Sequence, residues 1–224
     1  MRALYLAAVD SQRALSDEAL AASLEATLAR RPRGADWWVF AYGSLLWNPL
    51  FPFTEARPAL LRGLHRRFCL WSLASRGSTQ APGLVFGLDR GGSCLGVTYR
   101  LPAQCARAEL ALLWRREMVV GSYRPRWLSV HASGRRLTAL AFVVDRSHPQ
   151  YTGKLTLRRQ AEVLATASGA FGSSADYLEH ARVALITHGI VDPYLEALAA
   201  RVARCRRQGG REEPPTSGAG EPSV

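Results

Sequence analysis

Two short stretches of this sequence carry residues able to bind an anion or move a proton. The first is Tyr42-Gly43-Ser44-Leu45, which ends the apolar run Trp37-Trp38-Val39-Phe40-Ala41. Gly43 frees the backbone for dihedrals other residues avoid, and Ser44 adds a small hydroxyl. Successive main-chain N–H groups in such a turn can form an anion-binding nest. The second is Glu117. Leu110, Leu113, Trp114 and Glu117 recur at i, i+3, i+4 and i+7, one face of a helix, so a carboxylate stands where the pattern asks for a core residue. A desolvated carboxyl group has a raised pKa and can carry protons near neutral pH. Each stretch also has a plainer reading. The glycine and serine can simply turn the chain out of a core strand, and Glu117 can pair with a neighbouring arginine at the helix surface.

Other chemistries find less support. Ser44 lacks the Gly-x-Ser-x-Gly setting of a nucleophile elbow, and no histidine is placed to act as its base. His65, His131, His148, His180 and His188 are scattered, and Cys69, Cys94, Cys105 and Cys205 show no C-x-x-C spacing. None of these spacings suits a metal site. Arg76-Gly77 lies in a Ser/Gly/Thr-rich loop and either binds an anion or faces water.

The elements that must position these residues follow from pattern and punctuation. A helix is expected over residues 11–31, capped by Ser16, with Asp17 and Glu18 in its first turn and Leu20, Leu24 and Leu28 as an apolar stripe. From Trp37 to Leu101 short β-like runs alternate with turns: Phe68–Leu73, Gly83–Leu88, a turn at Asp89-Arg90-Gly91-Gly92, then Cys94–Leu101. Residues 103–120 read as the helix bearing Glu117. Arg126–His131 and Leu137–Val144 read as strands around a Ser133-Gly134 turn. Helices are expected at 156–168, 174–187 and Asp192–Arg206. The division is a helical extension (1–36), a main domain (37–207) and a disordered Gly/Glu/Pro/Ser tail (208–224).

The chain of 224 residues carries a formal net charge of +11. Lys154 is the only lysine, and the arginines are dispersed among abundant Ala, Leu, Gly and Pro, a bias that reads as GC-rich coding. Without a basic block, no nucleic-acid partner is expected. No stretch approaches the length of a membrane span, and the apolar run near Met1 is too short for a signal peptide. With no disulfide framework, the expectation is a cytoplasmic protein of unspecified oligomeric state.

Taken in order, further segments complete a recognisable series. It runs from Val39–Trp47 through Phe68-Cys69-Leu70-Trp71-Ser72, Arg76-Gly77 and Pro82-Gly83-Leu84-Val85 to Cys94–Arg100. It continues with Arg116-Glu117-Met118-Val119-Val120-Gly121-Ser122-Tyr123, His148-Pro149-Gln150-Tyr151-Thr152-Gly153 and Asp176-Tyr177-Leu178. This series resembles the ChaC family of γ-glutamylcyclotransferases over roughly residues 37–200. The resemblance implies an α+β fold, a small, mostly antiparallel β-barrel with peripheral helices. It implies cleavage of glutathione to 5-oxoproline and cysteinylglycine without a cofactor. It maps the catalytic glutamate to Glu117 and γ-glutamyl binding to Tyr42, Gly43, Ser44 and Leu45. Tyr123 is expected to line the pocket and Arg76 to meet an anionic end of the substrate. Ser122, Thr152, Lys154 and Ser174 depart from the family's usual residues and bear on the outer wall. Two alternatives stand beside this: the same chemistry on another γ-glutamyl peptide or amine, and a non-enzymatic basic binding module.

Overall fold

The computed structural model describes residues 14–209. The framework is a long antiparallel ribbon, β2 (Glu55–Ser72) and β3 (Gly83–Arg100), paired from Glu55↔Arg100 to Ser72↔Gly83. The turn expected at Asp89–Gly92 is not a turn. Gly91 and Gly92 have φ of 93° and 65°, and Gly63 on the opposite strand has φ of 84°. The register shifts between Arg62 and Leu64, so these glycines bend a continuous ribbon as a bulge. The chain reverses instead between Ser72 and Gly83. Residues 55–67 are strand as well, though their charged residues and Pro58 mask the alternation.

A second hairpin pairs β4 (Tyr123–Ala132) with β5 (Arg135–Val144). Ser133 and Gly134 have φ of 48° and 72°, the two positive values of a type I′ turn, whose twist matches its flanking strands. With β1 (Trp38–Ala41), the strands close in the order β1-β3-β2-β4-β5, and β1 meets β5 in parallel at Trp38↔Ala139 and Val39↔Leu140. All other pairings but a single β3–β5 contact are antiparallel. The fold is thus the expected α+β barrel. Phe40, Phe68, Phe86, Phe142 and Leu140 fill its interior, each almost wholly buried.

Among the described residues, five helices pack around it. α1 (Asp17–Leu28) starts at Ser16, whose Oγ accepts from Ala19 N at 3.1 Å, and Leu20 and Leu24 enter the main core. α2 (Ala106–Glu117) is shorter than expected and ends on Glu117; Gly121, at φ 69°, then redirects the chain into β4. α3 (Leu157–Thr166) is capped by Thr156, and α4 (Ser174–Thr187) has a capping box between Ser173 and Asp176. α5 (Pro193–Gly209) continues through Gln208 and Gly209, beyond the boundary with the tail, at 207, expected from composition. Residues 1–13 and 210–224, with the rest of that tail, lie outside the described residues. Among the described residues, no helix is long and apolar enough to cross a membrane.

Candidate active site

β1 delivers the chain to one end of the barrel, where Ser44–Leu46 form a single 3₁₀ turn. Gly43 has φ of −133°, so its missing side chain is a matter of space: a Cβ there would lie 3.2 Å from Tyr177 Oη. Beside this turn opens a cavity of about 490 Å³, walled by the end of α2, the β2–β3 connection and α4. A smaller recess continues inward, lined by Tyr42, Gly43, Ser44, Leu45 and aromatic rings. Ser44, Glu117, Tyr123 and Tyr177 border both spaces.

Glu117 is the only residue among those described with a buried side-chain polar atom, Oε1, lacking a hydrogen bond. Its side chain is 15% exposed. Arg116 Nε lies 3.1 Å from Oε1, close enough for charge attraction, but its N–H is not aimed to form a hydrogen bond. Burial pushes the Glu117 pKa up, and the Arg116 cation pulls it partly back. The structure therefore combines elements of both readings of Glu117: it neighbours an arginine, but inside a cavity rather than on the surface.

On helical spacing, Arg116 lies off the buried face of α2. At the last turn of α2 it instead folds over the site, with its side chain 19% exposed. Its Nη2 donates to Ser44 Oγ at 2.7 Å and its Nη1 to Asn48 O at 2.5 Å. The serine hydroxyl is thus engaged by a guanidinium, and no base among the described residues is hydrogen-bonded to it.

The tyrosines serve as walls with tethered tips. Tyr42 Oη donates to Phe142 O at 2.7 Å, and Tyr123 Oη donates to Phe86 O at 2.7 Å. Burial, reinforced by the Glu117 charge, holds both phenols well above their ordinary pKa, so they stay neutral. Tyr177, which the sequence alone did not mark as a site residue, walls both spaces. Its ring lies 5.2 Å from Phe86 and 5.2 Å from Trp47, and burial raises its pKa as well. Its signal was a phenol on the apolar stripe of α4, with Leu178, Ala181 and Leu185, the same anomaly that marked Glu117 on α2. Arg76, partly buried on the cavity wall, has its guanidinium carbon 5.4 Å from the Tyr177 ring centroid. All seven residues singled out in the sequence, Tyr42, Gly43, Ser44, Leu45, Arg76, Glu117 and Tyr123, thus line one cavity or its recess. Among the described residues, no three His, Cys, Asp or Glu side chains gather to hold a metal ion.

A closed barrel with a carboxylate facing a tyrosine–glycine–serine turn defines a protein of the γ-glutamylcyclotransferase fold. A selenomethionine-labelled crystal structure of a γ-glutamylcyclotransferase specific to glutathione from yeast superposes with a TM-score of 0.72 at 24% identity, covering 78% of this chain and 99% of that one. The chain belongs to the ChaC-like protein family, whose model matches residues 37–205. It is 41% identical over 198 residues to a glutathione-specific γ-glutamylcyclotransferase of Escherichia coli (strain K12), covering 88% of this chain and 86% of that one. It is 34% identical over 146 residues to glutathione-specific γ-glutamylcyclotransferase 1 of Mus musculus, covering 63% and 66%.

Proposed function

We propose that this protein is a γ-glutamylcyclotransferase that cleaves glutathione to 5-oxoproline and cysteinylglycine, with Glu117 as its proton carrier. Family membership supports the reaction class and the small-molecule substrate. The observation that carries the residue assignment is the Glu117 carboxyl group, short of one hydrogen bond, on the wall shared by the cavity and its recess.

The reaction is an intramolecular aminolysis. Glu117 takes a proton from the α-ammonium of the γ-glutamyl group. The freed amine attacks the γ-carbonyl carbon and a C–N bond closes the five-membered lactam. The bond to the cysteine nitrogen breaks as the proton on Glu117 passes to that nitrogen. The ring nitrogen gives up its second proton, through the same carboxylate, to the departing amine, which leaves as an ammonium. Cysteinylglycine departs and the carboxylate is restored. No enzyme nucleophile takes part, which fits a Ser44 hydroxyl engaged by Arg116.

The protein's work is to fold the substrate and move the proton. Holding amine and carbonyl in a near-attack geometry supplies up to about 7–11 kcal/mol in well-oriented cases, and positioned acid–base catalysis about 10²–10⁴-fold. The Tyr42–Leu45 turn holds the γ-glutamyl group, its main-chain N–H groups meeting the α-carboxylate or the developing oxyanion. Tyr42, Tyr123 and Tyr177 wall the recess with neutral rings. Arg76, on the wall of the outer cavity, meets an anionic end of the tripeptide. The four cysteines of the sequence are unpaired, which supports residence in the reducing cytoplasm that holds glutathione.

Incubation with reduced glutathione, followed by mass spectrometry, is expected to show 5-oxoproline and Cys-Gly in equal amounts. Folded Glu117→Gln protein is expected to release neither at an appreciable rate. Wild-type-rate release by that variant would remove Glu117 from the mechanism, and no release by the wild type would end the functional reading.

A further inference from the structure

Arg66 is the most buried arginine of an ion pair in the structure, with its side chain 1% exposed, and the reaction above makes no use of it. It projects from β2 to a point behind the γ-glutamyl turn. Its Nη1 donates to the main-chain oxygen of Tyr42 at 3.0 Å, its Nη2 to Leu95 O at 2.8 Å, and its Nε and Nη2 to Asp192 Oδ2 at 3.2 and 2.8 Å. The carboxylate comes from the start of α5, where Asp192 Oδ1 also accepts Tyr194 N at 3.0 Å. Tyr194 Oη accepts Phe68 N at 2.9 Å and donates to Gln160 Oε1 at 2.5 Å, locking α5 to the strand that carries Arg66.

We infer that Arg66 is a positioning residue for the γ-glutamyl turn, and that Asp192, at the start of α5, holds it in place. The inference rests on the γ-glutamylcyclotransferase reading. Tyr42 is the last fixed residue before Gly43, and it is held at two points: its hydroxyl by Phe142 O and its carbonyl by Arg66. A peptide unit pinned at its carbonyl fixes the direction of the next N–H, which belongs to Gly43 and opens the turn. A guanidinium suits this task because its planar fork presents several donors in fixed directions, whereas an ammonium presents a mobile point charge. One Arg66 side chain thereby ties together β1, β3 and the start of α5. Displacement of the turn by about 1 Å is enough to cost about 100-fold in rate where catalysis depends on orientation.

The test uses full-length Arg66→Lys and Asp192→Asn proteins. Asparagine retains the cap of α5 while removing the charge that faces Arg66. Steady-state turnover of reduced glutathione is measured well below the melting temperature and normalised to the folded fraction from circular dichroism. The expected result is a tenfold or greater fall in kcat/KM per folded molecule in both variants. The acid limb of the pH–rate profile stays where it is in the wild type, because neither residue touches Glu117. Activity per folded molecule within twofold of wild type, however little protein folds, overturns the inference and makes the Arg66 cluster purely structural. An acid limb that moves with the fall also overturns it, since Arg66 would then act on the carboxyl group. A wild type that releases no 5-oxoproline refutes the functional reading itself, and with it this inference.

Discussion

Arg116 bridges the two halves of the site: its Nη2 donates to Ser44 Oγ at 2.7 Å while its Nε stands 3.1 Å from Glu117 Oε1. The same cation therefore fixes the turn and lowers the pKa of the carboxyl group that burial raises. In the proposed mechanism Glu117 must be ionised to accept the substrate's proton, so kcat/KM is expected to fall as pH drops through its pKa. Replacing Arg116 by methionine removes the lowering influence and leaves burial in command. The acid limb of the kcat/KM profile is expected to move to higher pH in folded Arg116→Met protein, alongside a lower plateau. A limb at the wild-type position would show that the arginine does not govern the carboxylate.

Glu117 should also leave a mark on stability. Its folded-state pKa lies above the ordinary value of 4.5 used for an exposed glutamate. The folded protein therefore binds this proton more tightly than the unfolded chain, and the stability penalty is absent below that value. It develops as pH rises from about 4.5 through the higher folded pKa, and stays constant above it. Glu117→Gln removes the penalty. Thermal melts in a pH series are expected to show the variant gaining on wild type across that window, and at neutral pH exceeding it, while losing about 10²–10⁴ in kcat. A constant difference in Tm from acid to neutral pH would contradict the burial account.

Gly43 and Tyr177 make a steric pair. A Cβ on residue 43 would sit 3.2 Å from Tyr177 Oη and 3.6 Å from Phe86 Cδ2. Gly43→Ala is expected to destabilise the protein by about 1–3 kcal/mol, the range for overpacking a filled site, and to raise KM by displacing the turn. Tyr177→Phe takes away the nearer of those two atoms. In a double-mutant cycle by denaturant unfolding, the cost of Gly43→Ala should be smaller in the Tyr177→Phe background. Strict additivity would show that the phenol oxygen is not what the new methyl meets.

The parts of the site legible in the sequence were those that break a pattern. Glu117 interrupts an apolar helix face, and Gly43-Ser44 interrupts an apolar strand, so each stood out as a candidate without any knowledge of the fold, with a plainer reading beside it. Tyr177 broke the stripe of α4 in the same way, but a tyrosine is common enough in cores to pass unremarked. Spacing puts Arg116 off the buried face, but at the last turn of a helix a long side chain can leave its face and fold over the end. The β2–β3 ribbon was hidden for a related reason. Arg66 is charged, so a strand containing it reads as exposed. Only the arrival of Asp192, 126 positions later, makes its burial tolerable. Glycines at Gly91 and Gly92 looked like a reversal because a bulge and a turn use the same left-handed backbone, and local sequence does not tell which strand lies opposite.

Ser44 gives the sharpest separation between mechanisms. If it were a nucleophile, Ser44→Ala would abolish turnover and the wild type would pass through a γ-glutamyl ester. In the aminolysis derived above, the hydroxyl only accepts a hydrogen bond from Arg116. Losing a bond to a charged group costs about 1.5–3 kcal/mol. If all of that were expressed in the transition state, the rate would fall by about 10–100-fold. Ser44→Ala is therefore expected to retain about 1–10% or more of wild-type kcat/KM. Intact-mass measurement during turnover should find the wild-type chain without an added γ-glutamyl group. Complete loss in a folded Ser44→Ala protein, with an acyl adduct trapped on the wild type at low pH, would move the chemistry back to the serine.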